Sequence, residues 1–161
     1  MRLLEATVED HKWIGAVTEL WSSTQRWSLR GRTPSPFLLE KLLQEDVALQ
    51  RVAWADDDRP VALLQLVDVD LDNGFGHLAL LGNPKRPDEV RAALMAFLTV
   101  GFQQPQLRKV CLMAHADEFD VEAFLGDVAR KVGSLAGHER RGPDDYVDLL
   151  LYEIWKEALP G

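Results

Sequence analysis

LLGNPKRPDEVRAALMAF, residues 80–97, decides how the chain is read. An apolar run ends at Gly82, a polar turn follows, and DEVRAALMAFLTVGF is then apolar on several sides at helical spacing. That is the signature of a strand passing through a turn into a helix. Such turns often hold a phosphate with glycines and free backbone N–H groups at the helix start. Here the turn carries Pro84 and Pro87, and the first helical turn carries Asp88 and Glu89. Pro87 lacks a donor, and the two carboxylates put negative charge where a phosphate would sit and can themselves satisfy the helix start.

Working outward, the sequence predicts three strand-like runs before this turn, within ALQRVAWADDDRPVALLQLVDVDLDNGFGHLALLGNP. DDDRP and DLDNG separate them as turn signals, which argues for an antiparallel meander. DVDLDNG resembles a calcium loop only superficially, since it lacks the twelfth-position glutamate, and it reads as a hairpin turn. After the helix, KVCLMAHA reads as a buried strand, VEAFLGDVARKV as an amphipathic helix, and SLAGHERRG with YVDLLLYEIWKEA as a final pair of strands or a strand and a tail. Toward the start, RLLEAT reads as a strand and Thr7 as the cap of a helix whose inner face is Trp13, Ile14, Val17, Leu20 and Trp21. SLRGRTPSP is a loop and FLLEKLLQ a second short helix. The expected fold is one mixed α/β (α+β) domain over residues 1–161, in the order β α α β β β α β α β β, with parallel pairing where strands are joined across a helix.

Composition narrows the function. At 161 residues and 47% hydrophobic, the chain is the size of one domain. A net charge of −8 repels a polyphosphate backbone, so nucleic acid is not an expected partner. No apolar stretch approaches the roughly 20 residues of a bilayer span, and no secretory leader is evident, so no membrane partner is expected. The single cysteine, Cys111, sits in an apolar run, reads as a buried inert thiol and suits a cytoplasmic location. His115, followed by Asp117 and Glu118, lacks a second histidine at ligand spacing, and no metal is expected.

The element order, taken with LMAFLTVGFQQPQLRKVCLMA and its aromatic Phe102, resembles the GNAT superfamily of acyl-CoA-dependent N-acyltransferases over nearly the full length. The likeness is nearer to the branch of ribosomal-protein N-terminal acetyltransferases. YVDLLLYEIWKEAL, with Tyr146, Asp148 and Tyr152, is similar to that branch's closing pattern, and ARKVG, with Lys131 and Gly133, is similar to its Lys-x-Gly before the sixth strand.

The resemblance implies acetyl-CoA or another acyl-CoA as cofactor, and direct transfer to an amine of a small molecule or peptide. It implies that Leu80, Leu81 and Gly82 meet the pantetheine arm, and that Lys85, Arg86, Val90 and Arg91 surround the pyrophosphate. The loop departs from the family pattern in having no glycine at Lys85–Val90, a degenerate cradle. Counting back from Gly133 places Glu122 and Leu125 at the positions of the family's Asn and hydroxyl, and Ser134 replaces its phenylalanine.

Acyl transfer from a thioester to an amine needs a base for the ammonium and an acid for the leaving thiolate. His77, on the fourth strand, is the candidate base, alone or through a water. Tyr146 is kept as the candidate acid; Tyr152 is read as packing. Trp21, Arg26, Trp27 and Arg30, together with His115, would line the acceptor side, an arrangement suited to an anionic or aromatic small molecule or a peptide end. The alternative function is a catalytically degenerate protein of this fold that binds a small molecule or partner chain. A homodimer through final-strand exchange or sheet-edge pairing is compatible with either.

Overall fold

The computed structural model describes residues 1–5, 46–116, 120–140 and 143–160. Its elements are β1 (Arg2–Glu5), β2 (Val47–Trp54), β3 (Pro60–Asp70), β4 (Phe75–Gly82), α1 (Pro87–Gly101), β5 (Lys109–His115), α2 (Val121–Leu125), β6 (Ala129–Arg140) and β7 (Tyr146–Trp155). The expected helices at Thr7 and at residues 37–44 lie outside the described residues, as do Trp21, Arg26, Trp27, Arg30, Asp117 and Glu118. No helix among the described residues is long and apolar enough to cross a membrane.

Seven strands form one mixed sheet in the order β1-β2-β3-β4-β5-β7-β6. The expected meander is present: β2, β3 and β4 pair antiparallel in sequence. Its second turn closes because Asp70 accepts from Asn73 twice, from the backbone N–H at 2.9 Å and from Nδ2 at 2.7 Å. Gly74 then takes φ +74°, a conformation that costs a residue with a Cβ. Its carbonyl accepts from the N–H groups of Arg108 at 2.8 Å and Lys109 at 3.2 Å, pinning the start of β5 beside the start of β4.

Pro87 at the first turn, Asp88 and Glu89 against the positive end of the helix, and a buried stripe of Val90, Ala93, Leu94, Phe97 and Leu98 explain why α1 forms and which way it faces. The stripe packs on one face of the sheet, where Leu64, Leu66, Leu78, Val110, Leu112, Tyr152 and Ile154 belong to the same buried cluster. Because β4, α1 and β5 form a crossover unit, β4 and β5 pair parallel, the single parallel pairing among the described residues.

One expectation is corrected. VEAFLGDVARKV is not a single helix: α2 ends at Leu125, Gly126 turns the chain at φ +56°, and β6 begins at Ala129 opposite Ile154. Pairing with β7 commits Ala129–Val132 to the sheet, although their spacing also fits a helix. Lys131 and Gly133 therefore lie inside the sixth strand, opposite Tyr152 and Leu151, and not before it. The count back from Gly133 to Glu122 and Leu125 loses its anchor. The last two segments are a pair of strands.

Candidate functional site

The two central strands part. β4 and β5 are paired at Phe75–Lys109, Gly76–Val110, His77–Cys111 and Leu78–Leu112, and pairing stops there. Beyond this apex β4 stays with β3 as far as Gly82 opposite Ala62, while β5 stays with β7 as far as His115 opposite Leu149. Each arm is held by its outer neighbour, so a gap opens between Ala79–Gly82 and Met113–His115. The start of α1 is drawn close to the β4 arm. A Cβ on Gly82 would stand 2.8 Å from Cγ1 of Val90, so only glycine lets the helix approach this near.

Strand alternation sorts the candidates by face. Leu78 and Leu80 join the cluster under α1, so His77, Ala79 and Leu81 belong to the opposite face. His77 is half-buried one residue short of the apex, its ring edge-on to Phe75 with centroids 5.8 Å apart. His115 is 6% exposed at the tip of β5. It stands four residues past Cys111, the partner of His77, hence about 13 Å along the strand. Tyr146 is 56% exposed at the first residue of β7. Glu153 shares the row of Cys111 and His77, and Tyr146 is seven residues from it, about 23 Å. The structure therefore does not bring His77, His115 and Tyr146 to one point.

Tyr152 does reach the apex. It pairs with Leu112, which pairs with Leu78, so the three form the last row before the strands part. Burial pushes its phenol pKa up, and the charges of Glu122 and Asp120 push it further in the same direction. Asp120 also caps α2, accepting from the Ala123 N–H at 2.9 Å. Arg91 spends Nε on the Phe124 carbonyl at 3.0 Å, tying α1 to α2.

The loop before α1 is closed on itself. Asn83 donates to the Val61 carbonyl at 2.8 Å and accepts the Lys85 N–H on Oδ1 at 3.0 Å and the Arg86 N–H on its carbonyl at 3.0 Å. The Arg86 guanidinium reaches Asp57 in the β2–β3 turn at 2.5 Å and Glu89 at 3.2 Å. That guanidinium lowers the Asp57 carboxyl below its ordinary range. The expectation that a carboxylate caps α1 is corrected: no side chain makes a capping hydrogen bond there, because Glu89 turns to Arg86. Among the described residues Lys85 makes no ion pair, and it is exposed.

Sequence reading missed a polar cluster on the face opposite α1. Lys109 pairs with Glu153, its Nζ lies 5.2 Å from the Trp155 ring centroid, and the Trp155 indole donates to Glu153 at 3.1 Å. The lysine holds the Glu153 carboxyl below its usual range. Only the β5–β7 register brings these residues together, and no local signal announces it. Cys111, between them in the rows, is half-buried and not fully buried; burial raises its thiol, which makes it a poor nucleophile.

No protein-family model matches the sequence, and no curated protein matches it. Solved structures do. Spermidine N-acetyltransferase SpeG from Vibrio cholerae, in complex with CoA and spermine, superposes with a TM-score of 0.74 at 14% identity, over 98% of this chain and 96% of that one. An acetyltransferase of the GNAT family from Bacillus anthracis gives 0.71 at 15% identity, over 98% and 96%. The chain has the GNAT acyltransferase fold. Identity this low speaks for the fold alone, and the GNAT-fold chain must be assigned a chemistry from its own residues.

Proposed function

We propose that this GNAT-fold protein is an acyl-CoA-dependent N-acyltransferase that moves an acetyl or other acyl group directly to an amine of a small molecule or peptide. The observation that carries the reading is the gap that opens after Leu78 and Leu112, with the uncapped start of α1 beside one arm. The chemistry of the lining fits the cofactor in part. Backbone of Ala79–Leu81 offers an extended edge to an amide-bearing pantetheine arm, and first-turn N–H groups of α1 with Lys85 offer positive charge to a pyrophosphate. Arg86 is already held by Asp57 and Glu89, and Pro87 lacks a donor. Bound acyl-CoA supplies the thioester. His77, beside the apex, takes the proton of the attacking amine directly or through a water.

The net charge of −8 favours approach of a cationic amine, and the SpeG structure in complex with CoA and spermine is compatible with an amine acceptor. Trp21, Arg26, Trp27, Arg30 and His115 remain our candidates for the acceptor side. Phe102 and the Tyr146, Asp148, Tyr152 pattern support kinship with the ribosomal-protein branch.

The Asp57–Arg86–Glu89 contacts favour a second reading, a protein of this fold that has given up cofactor turnover and binds another molecule. Titration calorimetry and thermal unfolding with acetyl-CoA separate the two. Acyl transfer predicts saturable heat and, at 100 times the Kd, stabilisation of about 2.7 kcal/mol. No heat and no shift at millimolar acetyl-CoA would sink it and leave the second.

A further inference from the structure

We propose that Gln65, on β3, accepts a hydrogen bond on Oε1 from the amine nitrogen of the acceptor and so fits the site to primary over secondary amines; the proposal rests on the acyl-transfer reading above. The first observation is burial. Gln65 is the one polar residue in the apolar run Pro60–Val67, every residue from Pro60 to Leu66 is buried, and Gln65 itself is only 7% exposed. A side-chain amide in such a strand costs free energy unless its hydrogen bonds are made.

The second is that half of this amide is left over. Gln65 donates from Nε2 to Oε1 of Gln50 at 2.6 Å, and among the described residues nothing donates to its own Oε1. Buried polar groups are nearly always met, and an exception calls for a cause. Nitrogen and oxygen leave the amide carbon in different directions, so an amide whose nitrogen is drawn toward Gln50 on β2 turns its oxygen away from that strand. Leucine or methionine would fill the place without stranding an acceptor. An oxygen kept there is explained by a donor that a ligand brings.

The third is position, and it says which donor. Gln65 pairs with Ala79, the first β4 residue beyond the last β4–β5 pair, and the row Gln50, Gln65, Ala79 lies on the face opposite α1. Ala79 sets only a methyl between the amide and the free edge of β4. His77 pairs with Val67, two residues on from Gln65, so His77 and Gln65 are diagonal neighbours on one face, with Cα atoms about 7–8 Å apart and within reach of long side chains. His77 and Ala79 are half-buried, so the face is partly open beside the buried amide. A nitrogen seated between the two has one proton for each. As it bonds to the thioester carbon, the C–S bond breaks with its electron pair on sulfur, which takes up a proton from water, and the proton facing His77 leaves through it to water. The N–H facing Gln65 stays on nitrogen from amine to amide, and Gln65 exchanges no proton. A neutral primary amine carries both protons. A secondary amine, having given its one proton to His77, keeps none for Gln65.

The test measures kcat/KM for acetyl transfer from acetyl-CoA to benzylamine and to N-methylbenzylamine, by thiol release, on wild type, Gln65→Met and Gln65→Glu, with acetyl-CoA binding followed by calorimetry on each. Met keeps the length and loses the oxygen, whereas Glu keeps an oxygen and loses the donor to Gln50. Gln65→Met should lower kcat/KM for benzylamine about fivefold, the worth of one ordinary hydrogen bond, and leave N-methylbenzylamine and the Kd of acetyl-CoA unchanged. Gln65→Glu should keep the wild-type preference for the primary amine. A loss in Gln65→Glu as large as in Gln65→Met overturns the proposal, because it would show that the bond to Gln50 is what matters. Should Gln65→Glu not fold, Gln65→Met decides alone: an unchanged benzylamine rate, or an equal loss with both amines, overturns the proposal. Transfer to neither amine by a wild type that binds acetyl-CoA overturns it and leaves cofactor binding intact, since the seat recognises the amine nitrogen itself. No binding of acetyl-CoA at millimolar concentration overturns both readings together.

Discussion

At the apex of the gap, Tyr152 keeps a hydroxyl with no partner among the described residues, in a row of leucines. In the loop before α1, by contrast, Arg86 is met by Asp57 at 2.5 Å and Glu89 at 3.2 Å, and Asn83 gathers two backbone N–H groups. Both regions belong to the same proposed site. One leaves a buried hydroxyl for something else, and the other has committed Arg86 internally while Lys85 makes no ion pair among the described residues. The difference assigns separate duties: the loop stabilises the join of β4 to α1, and the apex is where recognition of a ligand must be sought.

Three substitutions test that division. The largest effect is expected of Leu112→Ala, which empties a buried position in the apex row and should cost about 2–5 kcal/mol in denaturant unfolding. A loss well under 1 kcal/mol would mean the apex is not packed as described. Next is Gly82→Ala, whose Cβ would stand 2.8 Å from Val90. Displacing the helix start from the β4 arm should cost about 1–3 kcal/mol and weaken acetyl-CoA binding. Unchanged affinity in a destabilised variant would remove the start of α1 from the site.

The smallest effect belongs to Asp57→Asn in the loop. Asp57 titrates below its ordinary value of 3.8 when folded, so the unfolded chain binds more protons in acid. Its contribution is complete above that value and is lost as the pH falls through the lower folded one. Asp57→Asn should flatten the acid limb of the stability profile and shift the thermal midpoint at neutral pH by no more than about 3 °C, because the pair is exposed. An unaltered acid limb would show that Asp57 does not hold Arg86 in solution.

How much of this was legible depended on whether the deciding interaction is local. α1 announces itself within its own residues, by Pro87, two acids and a stripe of apolar positions, and the hairpin at Asp70–Gly74 does so by its turn chemistry. The end of α2 does not: Val121, Leu125 and Val128 fit a helix that would continue, and the choice between helix and strand at Ala129 is made by β7, some 25 residues further on. Tyr146 and Tyr152 lie six residues apart in one strand, and in sequence the first reads as candidate acid and the second as packing. Only the register of β7 against β5 puts one at the apex and leaves the other in solvent. The capture of Arg86 was hidden for the same reason, its partner Asp57 lying 29 residues away. Of the candidate site, the location on β4 and β5 was readable, and the identity of the buried donor was not.

Among the described residues, four ladder pairs join β4 to β5, between a four-stranded leaf, β1 to β4, and a three-stranded one, β5 to β7. The hairpins of the first leaf close over short loops, whereas this seam requires the whole crossover of α1 to be laid down first. The order of events during folding follows from that asymmetry. The β2–β3 and β3–β4 hairpins are expected to form before the seam closes, and the fork beyond Leu78 and Leu112 is expected to take shape last.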